Sequence, residues 1–201
     1  MVETIRAFLD SCAVSFDLPI LDWIQANLQS AFLDTSMPII TLLGDAGIFW
    51  ICWAVLLLLF PKTRKTGLGM GFALIMGLIV CNMILKPTIG RIRPYDFQEL
   101  HFDVMVNLLI ERQHDFAFPS GHTIASFEAA TVLLKNSKIM GIPAMILAVI
   151  IAFSRMYLYV HYPTDVIVSI VLGTLFAFIG DAIAAKVAPK LAPRKRGRFE
   201  A

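Results

Sequence analysis

Long apolar segments are the feature that most constrains what this chain can fold into. A helix needs ~20 mainly apolar residues to cross a bilayer, and five segments approach that length: residues 38–60, 66–85, 122–137, 139–155 and 165–186. The composition agrees, since 58% of the residues are hydrophobic and 16% are charged, whereas soluble domains have roughly 25% charged residues. We therefore expect an all-α fold, a polytopic membrane helix bundle.

The N-terminal segment has a different pattern. Over residues 4–33, apolar side chains at helical spacing are interrupted by carboxylates, including Asp10, Asp17 and Asp22. This pattern predicts one or two amphipathic helices that lie at the membrane interface. The alternative is a further membrane span, so the bundle is expected to have five to six spans.

The expected organisation has three parts: an N-terminal amphipathic segment over residues 1–36, a transmembrane domain over 37–186 and a basic tail over 187–201. Glu3 and Asp10 lie where a signal peptide would be free of acidic residues, and no continuous apolar stretch follows them, so no signal peptide is expected. The three cysteines, Cys12, Cys52 and Cys81, have no metal-binding spacing and are predicted to be buried free thiols.

The basic residues predict an orientation. Most Lys and Arg residues lie between the first two spans, between the third and fourth, or in the tail, and the positive-inside rule makes that side cytoplasmic. Five basic residues fall on the opposite side and need a separate reason: Lys86, Arg91, Arg93, Arg112 and Arg155.

Two loops on that opposite side carry chemically capable residues. The loop over 86–121 begins at Lys86, includes Arg93 and leads to His122, and the loop over 154–165 contains Arg155 and His161. If the spans form a bundle, these groups converge at the membrane surface. Convergent guanidinium and ammonium groups, with no acidic cluster suited to a metal, favour the binding of a phosphate.

Local spacing adds further detail. Ser120 is a good N-cap for the helix that follows, Gly121 allows the backbone to approach a ligand, and the helix N-terminus attracts anions. His161 and Asp165 are one helical turn apart, so the carboxylate can accept from one imidazole nitrogen and leave the other free as a nucleophile. His122 and His161 together permit a division of labour, in which one attacks phosphorus and the other protonates the leaving oxygen.

Several neighbouring residues are possible supporting groups. An acid within a membrane span is a functional candidate, so Glu128 is expected either to pair with a catalytic cation or to lie neutral in the bundle. Asn82 precedes Lys86 by one turn and suits either interhelical hydrogen bonding or support of the site, and Tyr95 is expected in the loop structure or at the entrance. Arg91 is expected to point away from the site. Solvated loop positions are expected for His101, Arg112, His114 and Asp115.

Three motifs, from Lys86 to Arg93-Pro94, from Pro119 to His122, and from Ser154-Arg155 through His161 to Asp165, resemble those of the type 2 phosphatidic acid phosphatase (PAP2) superfamily. That superfamily also contains vanadium haloperoxidases and glucose-6-phosphatase, and its members usually have six membrane helices. The resemblance covers residues ~38–186.

The resemblance implies an enzyme, a phosphoric ester or diphosphate hydrolase. His161 would form a phosphohistidine, Asp165 would orient it, and His122 would act as the general acid. The phosphate would be held by Lys86, Arg93, Ser120, Gly121 and Arg155. No metal and no other cofactor are implied.

The short chain and compact loops resemble small bacterial members that act on undecaprenyl diphosphate. Phosphatidylglycerophosphate and phosphatidic acid are alternative substrates. More remote alternatives are a vanadate-dependent haloperoxidase and a non-enzymatic protein that binds or translocates lipid phosphates. The expected partners are the lipid bilayer and a lipid phosphate, with no nucleic acid, and the oligomeric state stays open. The expected location is the inner or plasma membrane, with the site facing the periplasm or the outside.

Overall fold

The computed structural model describes residues 2–191, and these residues form helices and loops without any β-strand. The helices are α1 (Val2–Cys12), α2 (Leu18–Leu28), α3 (Ala31–Leu42), α4 (Ile48–Leu59), α5 (Arg64–Gly77), α6 (Lys86–Ile89), α7 (Pro94–Phe102), α8 (Gly121–Asn136), α9 (Lys138–Tyr157) and α10 (Pro163–Val187). The expectation of an all-α fold is thus confirmed for this part of the chain. The predicted basic tail begins in the last turn of α10, but its residues Arg194, Lys195, Arg196 and Arg198 lie outside the described residues.

Helix α8 lies at the centre of the bundle and contacts α5, α9 and α10. Its residues from Thr123 to Leu133 are buried except Ala125. Small residues allow the surrounding helices to come close, as is typical of membrane helix interfaces. A Cβ atom at Gly180 of α10, for example, would lie 2.6 Å from the carbonyl oxygen of Gly69 in α5.

The number of spans differs from the prediction. Within residues 2–191, three helical stretches are long and apolar enough to cross a membrane, in Arg64–Phe102, Lys138–Tyr157 and Pro163–Leu191. A fourth span is obtained if the bent pair α3 and α4 counts as one. The five-to-six-span expectation is therefore not confirmed. Helix α8 has 16 residues, or about 24 Å of helix, which is short of the ~30 Å hydrocarbon core.

The predicted span over residues 38–60 is not a single helix. Helices α3 and α4 are separated by a 3₁₀ turn, Asp45–Gly47, and bend by 42°. Ala46 and Gly47 have positive φ values of 48° and 67°, a conformation that ends helical propagation. The break has a consequence for the cavity described below, because it brings Thr41 and Gly44 against that cavity's residues.

The N-terminal segment forms α1 and α2, joined by a π-helical turn over Ala13–Asp17, and neither helix qualifies as a span. Carboxylates of this segment and of the first turn of α3 contact the rest of the protein: Asp22 accepts a hydrogen bond from the Tyr159 hydroxyl at 2.6 Å, and Asp34 of α3 accepts one from the Tyr157 hydroxyl at 2.5 Å. These contacts give the acidic residues a structural role. The expected boundary at residue 36 falls inside α3.

The bundle surface is rich in exposed apolar side chains, such as Ile51, Leu59 and Ile75, as expected for helices that face lipid. The three cysteines are unpaired, but the prediction that all are buried is wrong for two of them. Cys81 is buried, Cys12 is half-buried and Cys52 lies exposed on α4. An apolar neighbourhood in the sequence does not distinguish the core from a lipid-facing surface.

Candidate active site

A cavity of about 490 Å³ opens at one end of the bundle. Its mouth is lined by the side chains from the three motifs and the loop before the second: Lys86, Arg93, Asp115, His122, Arg155 and His161. A second arm of the same cavity descends between α4 and α5 and is lined mainly by apolar residues such as Ala54, Leu58 and Leu74. The arrangement combines a cationic mouth with an apolar arm.

Asp115 joins two of the cations at the mouth. Its carboxylate accepts a hydrogen bond from Lys86 Nζ at 2.5 Å and pairs with Arg93 Nη2. Partial burial opposes ionisation, but the hydrogen bond from Lys86 and the charge of Arg93 outweigh it and lower the pKa of Asp115 below its ordinary value of 3.8. Asp115 is therefore a carboxylate at neutral pH, placed where Lys86 and Arg93 would both contact the oxygens of a phosphate.

Arg93 also contacts His161. Its Nη1 lies 2.9 Å from His161 Nε2 and donates to the Val160 carbonyl at 2.7 Å. Because a guanidinium can only donate, Nε2 accepts and the neutral ring carries its proton on Nδ1. Nδ1 in turn lies 3.5 Å from Asp165 Oδ2, longer than a good hydrogen bond, and makes none with the described residues. Catalytic hydrogen bonds are often long without substrate and shorten when it binds.

The charge state of His161 follows from its surroundings. The residue is almost fully buried at the end of the loop between α9 and α10. Burial, together with the positive charges of Arg93 and Arg155, lowers the pKa of His161 well below its ordinary value of 6.5. The imidazole is therefore neutral at pH 7, with a lone pair on Nε2.

Behind Asp165 lies a buried ion-pair network centred on Arg91. Arg91 Nη1 donates to Asp165 at 2.5 Å, and Nη2 donates to Asp17 at 2.7 Å. Asp17 also accepts from the backbone and hydroxyl of Thr164, and the guanidinium stacks 3.6 Å from the ring centroid of Tyr162. Arg91 thus holds the carboxylate that faces His161 and does not itself line the cavity.

The second motif starts α8. Ser120 occupies the N-cap position, but its side chain makes no capping hydrogen bond and instead accepts from the Thr123 hydroxyl at 3.0 Å. A Cβ atom at Gly121 would lie 3.1 Å from the side-chain oxygen of Asn82. Gly121 and Asn82 both line the cavity, so the backbone N–H groups at this helix start stay close to its mouth.

The break between α3 and α4 borders the mouth from the other side. Thr41 accepts a hydrogen bond from buried Arg155 at 2.6 Å, and a Cβ atom at Gly44 would lie 2.7 Å from the ring of His122. Thr41 orients the guanidinium of Arg155, and Gly44 leaves space for the imidazole of His122.

Tyr95 anchors the loop that carries Asp115. Its hydroxyl bonds the backbone of Gln113 in both directions, donating to the carbonyl at 3.1 Å and accepting from the N–H at 3.0 Å. His101 and Arg112 lie outside the cavity, and Arg112 pairs with Asp96 and Glu99 on the exposed surface. His114 is also exposed.

Glu128 lies in the wall of the apolar arm. Its carboxyl is completely buried and faces the backbone of Gly77 in α5, and neither oxygen has a hydrogen-bond partner among the described residues. Of the two alternatives expected for Glu128, a pair with a catalytic cation is not formed among the described residues. The site cations are committed to the mouth, and α8 carries Glu128 six residues further into the bundle.

Four residues of the site lie outside the three motifs: Asp17, Thr41, Gly44 and Asp115. A Gly-Asp-Ala-Gly sequence over residues 44–47 was a readable signal of a helix break. An acid at position 17 in an apolar helix face was a signal of a buried partner. Asp115 in a polar loop had no such signal. Within residues 2–191, no group of three or more His, Cys, Asp or Glu side chains is placed to hold a metal ion.

Replacement of Asp115 by asparagine is expected to tighten the binding of inorganic phosphate by about tenfold, because Lys86 and Arg93 then lose a competing carboxylate. Without phosphate the variant is expected to be less stable than the wild type, since the cations repel one another. Thermal unfolding in detergent, titrated with phosphate, measures both effects. Asp103→Asn, an exposed change in the same loop, is the matched control.

The pH dependence gives a second readout of the same variant. A lowered folded-state pKa means that the stabilisation from Asp115 is present above the unfolded-state value of ~3.9 and is lost as the pH falls through the folded-state pKa. The difference in Tm between wild type and variant should hold between about pH 5 and 8 and shrink below pH ~4. Phosphate affinity that is equal in the two proteins would contradict the placement of Asp115 in the phosphate site.

Comparison with known proteins gives consistent matches. A family model described as the PAP2 superfamily matches residues 66–187. A protein of Sulfolobus acidocaldarius named undecaprenyl-diphosphatase is 33% identical over 85% of this chain and 79% of its own length. Phosphatidylglycerophosphatase B of Bacillus subtilis is 32% identical over 92% of this chain and 86% of its own length.

A solved structure has a similar fold. The crystal structure of a transmembrane PAP2-type phosphatidylglycerolphosphate phosphatase from Bacillus subtilis aligns with a TM-score of 0.62 and 25% identity. The alignment covers 97% of this chain and 89% of that one.

Proposed function

The chain belongs to the PAP2 superfamily and is a phosphoric ester hydrolase of the lipid phosphatase type, and we propose that it removes phosphate from a lipid phosphate or diphosphate through a phosphohistidine intermediate. The observation that carries this proposal is the contact between Arg93 and His161. It leaves Nε2 of a neutral imidazole unprotonated and directed at the cationic mouth.

Each step of the proposed reaction is assigned to a residue that lines the cavity mouth or supports it. Lys86, Arg93 and Arg155 bind the phosphate oxygens, with the N–H groups at the start of α8, and stabilise the charge of the transition state. Arg93 turns from His161 to the phosphate when substrate enters. Nε2 of His161 then forms a bond to phosphorus while the bond to the leaving oxygen breaks. His122, in its protonated form, donates a proton to that oxygen and is left neutral.

Hydrolysis of the intermediate regenerates the enzyme. Water attacks the phosphohistidine, His122 takes up a proton from the water, and the N–P bond breaks to release inorganic phosphate. Asp165, held by Arg91, accepts from Nδ1–H and stabilises the ring as charge develops on it. The proposed reaction uses no cofactor.

The apolar arm of the cavity supports a lipid substrate. Residues at its edge, such as Ile51, Val55, Ile75 and Leu78, are about half exposed on the outside of the bundle. This exposure supports lateral entry between α4 and α5, with the hydrocarbon chain in the arm and the phosphate at the mouth. The chain of a membrane lipid that enters the arm stays in apolar surroundings, whereas a soluble phosphate has no group to fill the arm.

The first candidate substrate is undecaprenyl diphosphate, which would be hydrolysed to undecaprenyl phosphate, since relatives that bear that activity in their names are similar over most of the chain. A glycerol-based lipid such as phosphatidylglycerophosphate or phosphatidic acid is the second candidate. Glu128 favours it, because a polar wall residue in the arm suits a lipid that carries oxygen below its phosphate.

The proposed location of the site is the extracytoplasmic face. Lys65 and Lys135, which the positive-inside rule puts on the cytoplasmic side, meet at Asp181, at 3.1 Å and 2.8 Å. Both lie where α5 begins and α8 ends, at the end of the bundle away from the cavity mouth. This arrangement supports a phosphate group that is bound on the outer side.

Phosphate release tests the proposal. The purified chain in detergent is expected to release phosphate from undecaprenyl diphosphate, phosphatidylglycerophosphate or phosphatidic acid. EDTA is expected to leave the rate unchanged, because cationic side chains, and not a metal ion, neutralise the charge of the phosphate. Enzyme-free micelles supply the background. Loss of activity with EDTA that Mg²⁺ restores would contradict the metal-free mechanism, and absence of release from all three lipids would contradict the proposed function.

A further inference from the structure

Glu128 is a buried acid whose carboxyl packs on the backbone of Gly77 and has no side-chain partner among the described residues. Both of its oxygens are shielded from solvent and unbonded among the described residues, in a cavity wall that is otherwise mainly apolar. Burying a polar group without a hydrogen bond costs free energy, and an apolar side chain of similar size would avoid that cost. A group outside the described protein residues is therefore the natural partner.

Several polar groups along α8 and at the mouth are already engaged, although the buried Thr131 hydroxyl, one turn further along α8, has no partner among residues 2–191. On the same helix the Ser126 hydroxyl accepts from Trp50, and α8 ends at Asn136, which binds Asp181. Towards the mouth, Arg93 is committed to Asp115 and His161. None of these hydrogen bonds and ion pairs involves Glu128, so they give it no part in holding the helices together.

The position of Glu128 relative to the mouth defines what it can reach. Six residues separate it from His122 along α8, or about 9 Å. Helical side chains lean toward the N-terminus, so the carboxyl extends back toward the phosphate position. A substrate with its phosphate at the mouth therefore presents to Glu128 the atoms that lie a few bonds below its phosphate ester.

We infer that Glu128 is a specificity-determining residue that hydrogen-bonds an oxygen of the substrate's glycerol region. The carboxyl accepts from a glycerol hydroxyl or, when protonated, donates to an ester carbonyl. A polyprenyl chain has only carbon at this depth and would cover Glu128 without replacing the lost hydrogen bonds. The inference rests on the proposed lipid phosphatase function and favours glycerol-based lipids over polyprenyl diphosphates.

The selectivity has a clear physical basis. A site that hydrogen-bonds a substrate group discriminates strongly against an analogue that lacks it, because the buried polar group is then left unpaired. Removing the carboxyl should lower kcat/KM for the glycerol-based substrate, which loses a hydrogen bond. It should raise kcat/KM for the polyprenyl substrate, which no longer covers an unpaired polar group. The ratio of the two kcat/KM values is therefore a more specific readout than either value alone.

The test compares wild type, Glu128→Gln and Glu128→Met on dioleoyl phosphatidate and undecaprenyl diphosphate in the same detergent. Methionine is expected to shift the kcat/KM ratio toward the diphosphate by about 10- to 100-fold. Glutamine keeps hydrogen-bonding groups in the same shape and is expected to retain most of the wild-type preference. Equal effects of methionine on both substrates would overturn the inference.

A second measurement does not depend on the folding of a variant. Wild-type protein is expected to hydrolyse dioleoyl phosphatidate about tenfold or more faster, in kcat/KM, than a long-chain alkyl phosphate that lacks glycerol oxygens. Equal rates would overturn the role of Glu128 while leaving the phosphatase function intact. Absence of phosphate release from every lipid, by contrast, would reject the proposed function itself.

Discussion

His161→Ala is expected to lower kcat by roughly four orders of magnitude, because the nucleophile of the proposed reaction is removed and water must attack the phosphate directly. The binding of inorganic phosphate should change little, since Lys86 and Arg155 remain. The same variant should not incorporate label from a lipid with radioactive phosphate. Wild-type protein quenched during turnover should carry label that is lost in acid and stable in alkali, as expected for a phosphohistidine.

The control for this variant is His101→Ala. His101 lies on α7 outside the cavity and bonds only the backbone of Phe97 among the described residues, so its removal should leave kcat unchanged. His161→Ala protein that retains turnover near the wild-type rate would exclude His161 as nucleophile. A wild-type rate with no labelled protein at any quench time would instead argue for direct attack by water.

The general character of the fold was accessible from the sequence because it depends on local composition. Apolar runs of about 20 residues predict membrane helices, and the helical stretches within residues 2–191 follow those runs closely. The predicted count of spans is not confirmed at two places, for different reasons. The first run hides a break at residues 44–47, and the run around α8 owes its burial to neighbouring protein helices.

The cations of the cavity mouth can also be predicted from the sequence, since they are charged residues between apolar segments on the side that should lack Lys and Arg. What the sequence could not supply are contacts between residues far apart in the chain. Arg91 binds partners 74 residues away on both sides, and Arg155 binds Thr41 across 114 residues. No local spacing encodes such pairs, which is why Arg91 was expected only to point away from the site.

This network leads to the prediction with the largest expected effect on stability. Arg91→Met is expected to lower the free energy of unfolding by about 3–5 kcal/mol, the usual result when one partner of a buried ion pair is removed. Asp17 and Asp165 are both completely buried, so the variant leaves two carboxylates without their shared cation. Thermal or denaturant unfolding in detergent measures the loss.

The matched control is Arg112→Met. Arg112 also binds two carboxylates, Asp96 and Glu99, but its side chain and theirs are more than one-third exposed. Exposed pairs of this kind contribute little to stability because water and salt screen them, so this variant should unfold close to the wild type. A similar loss in both variants would show that burial is not the source of the effect.

Activity separates a positioning role of Arg91 from a purely structural one. If Arg91 acts by holding Asp165 against His161, Arg91→Met should lower kcat far more than it raises KM, and it should slow formation of the labelled phosphoenzyme. Adding Asp17→Asn removes one unpaired carboxylate and should restore part of the stability without restoring kcat, because Asp165 is still without its cation. Recovery of both in the double variant would mean that Arg91 serves only to hold the N-terminal helices in place.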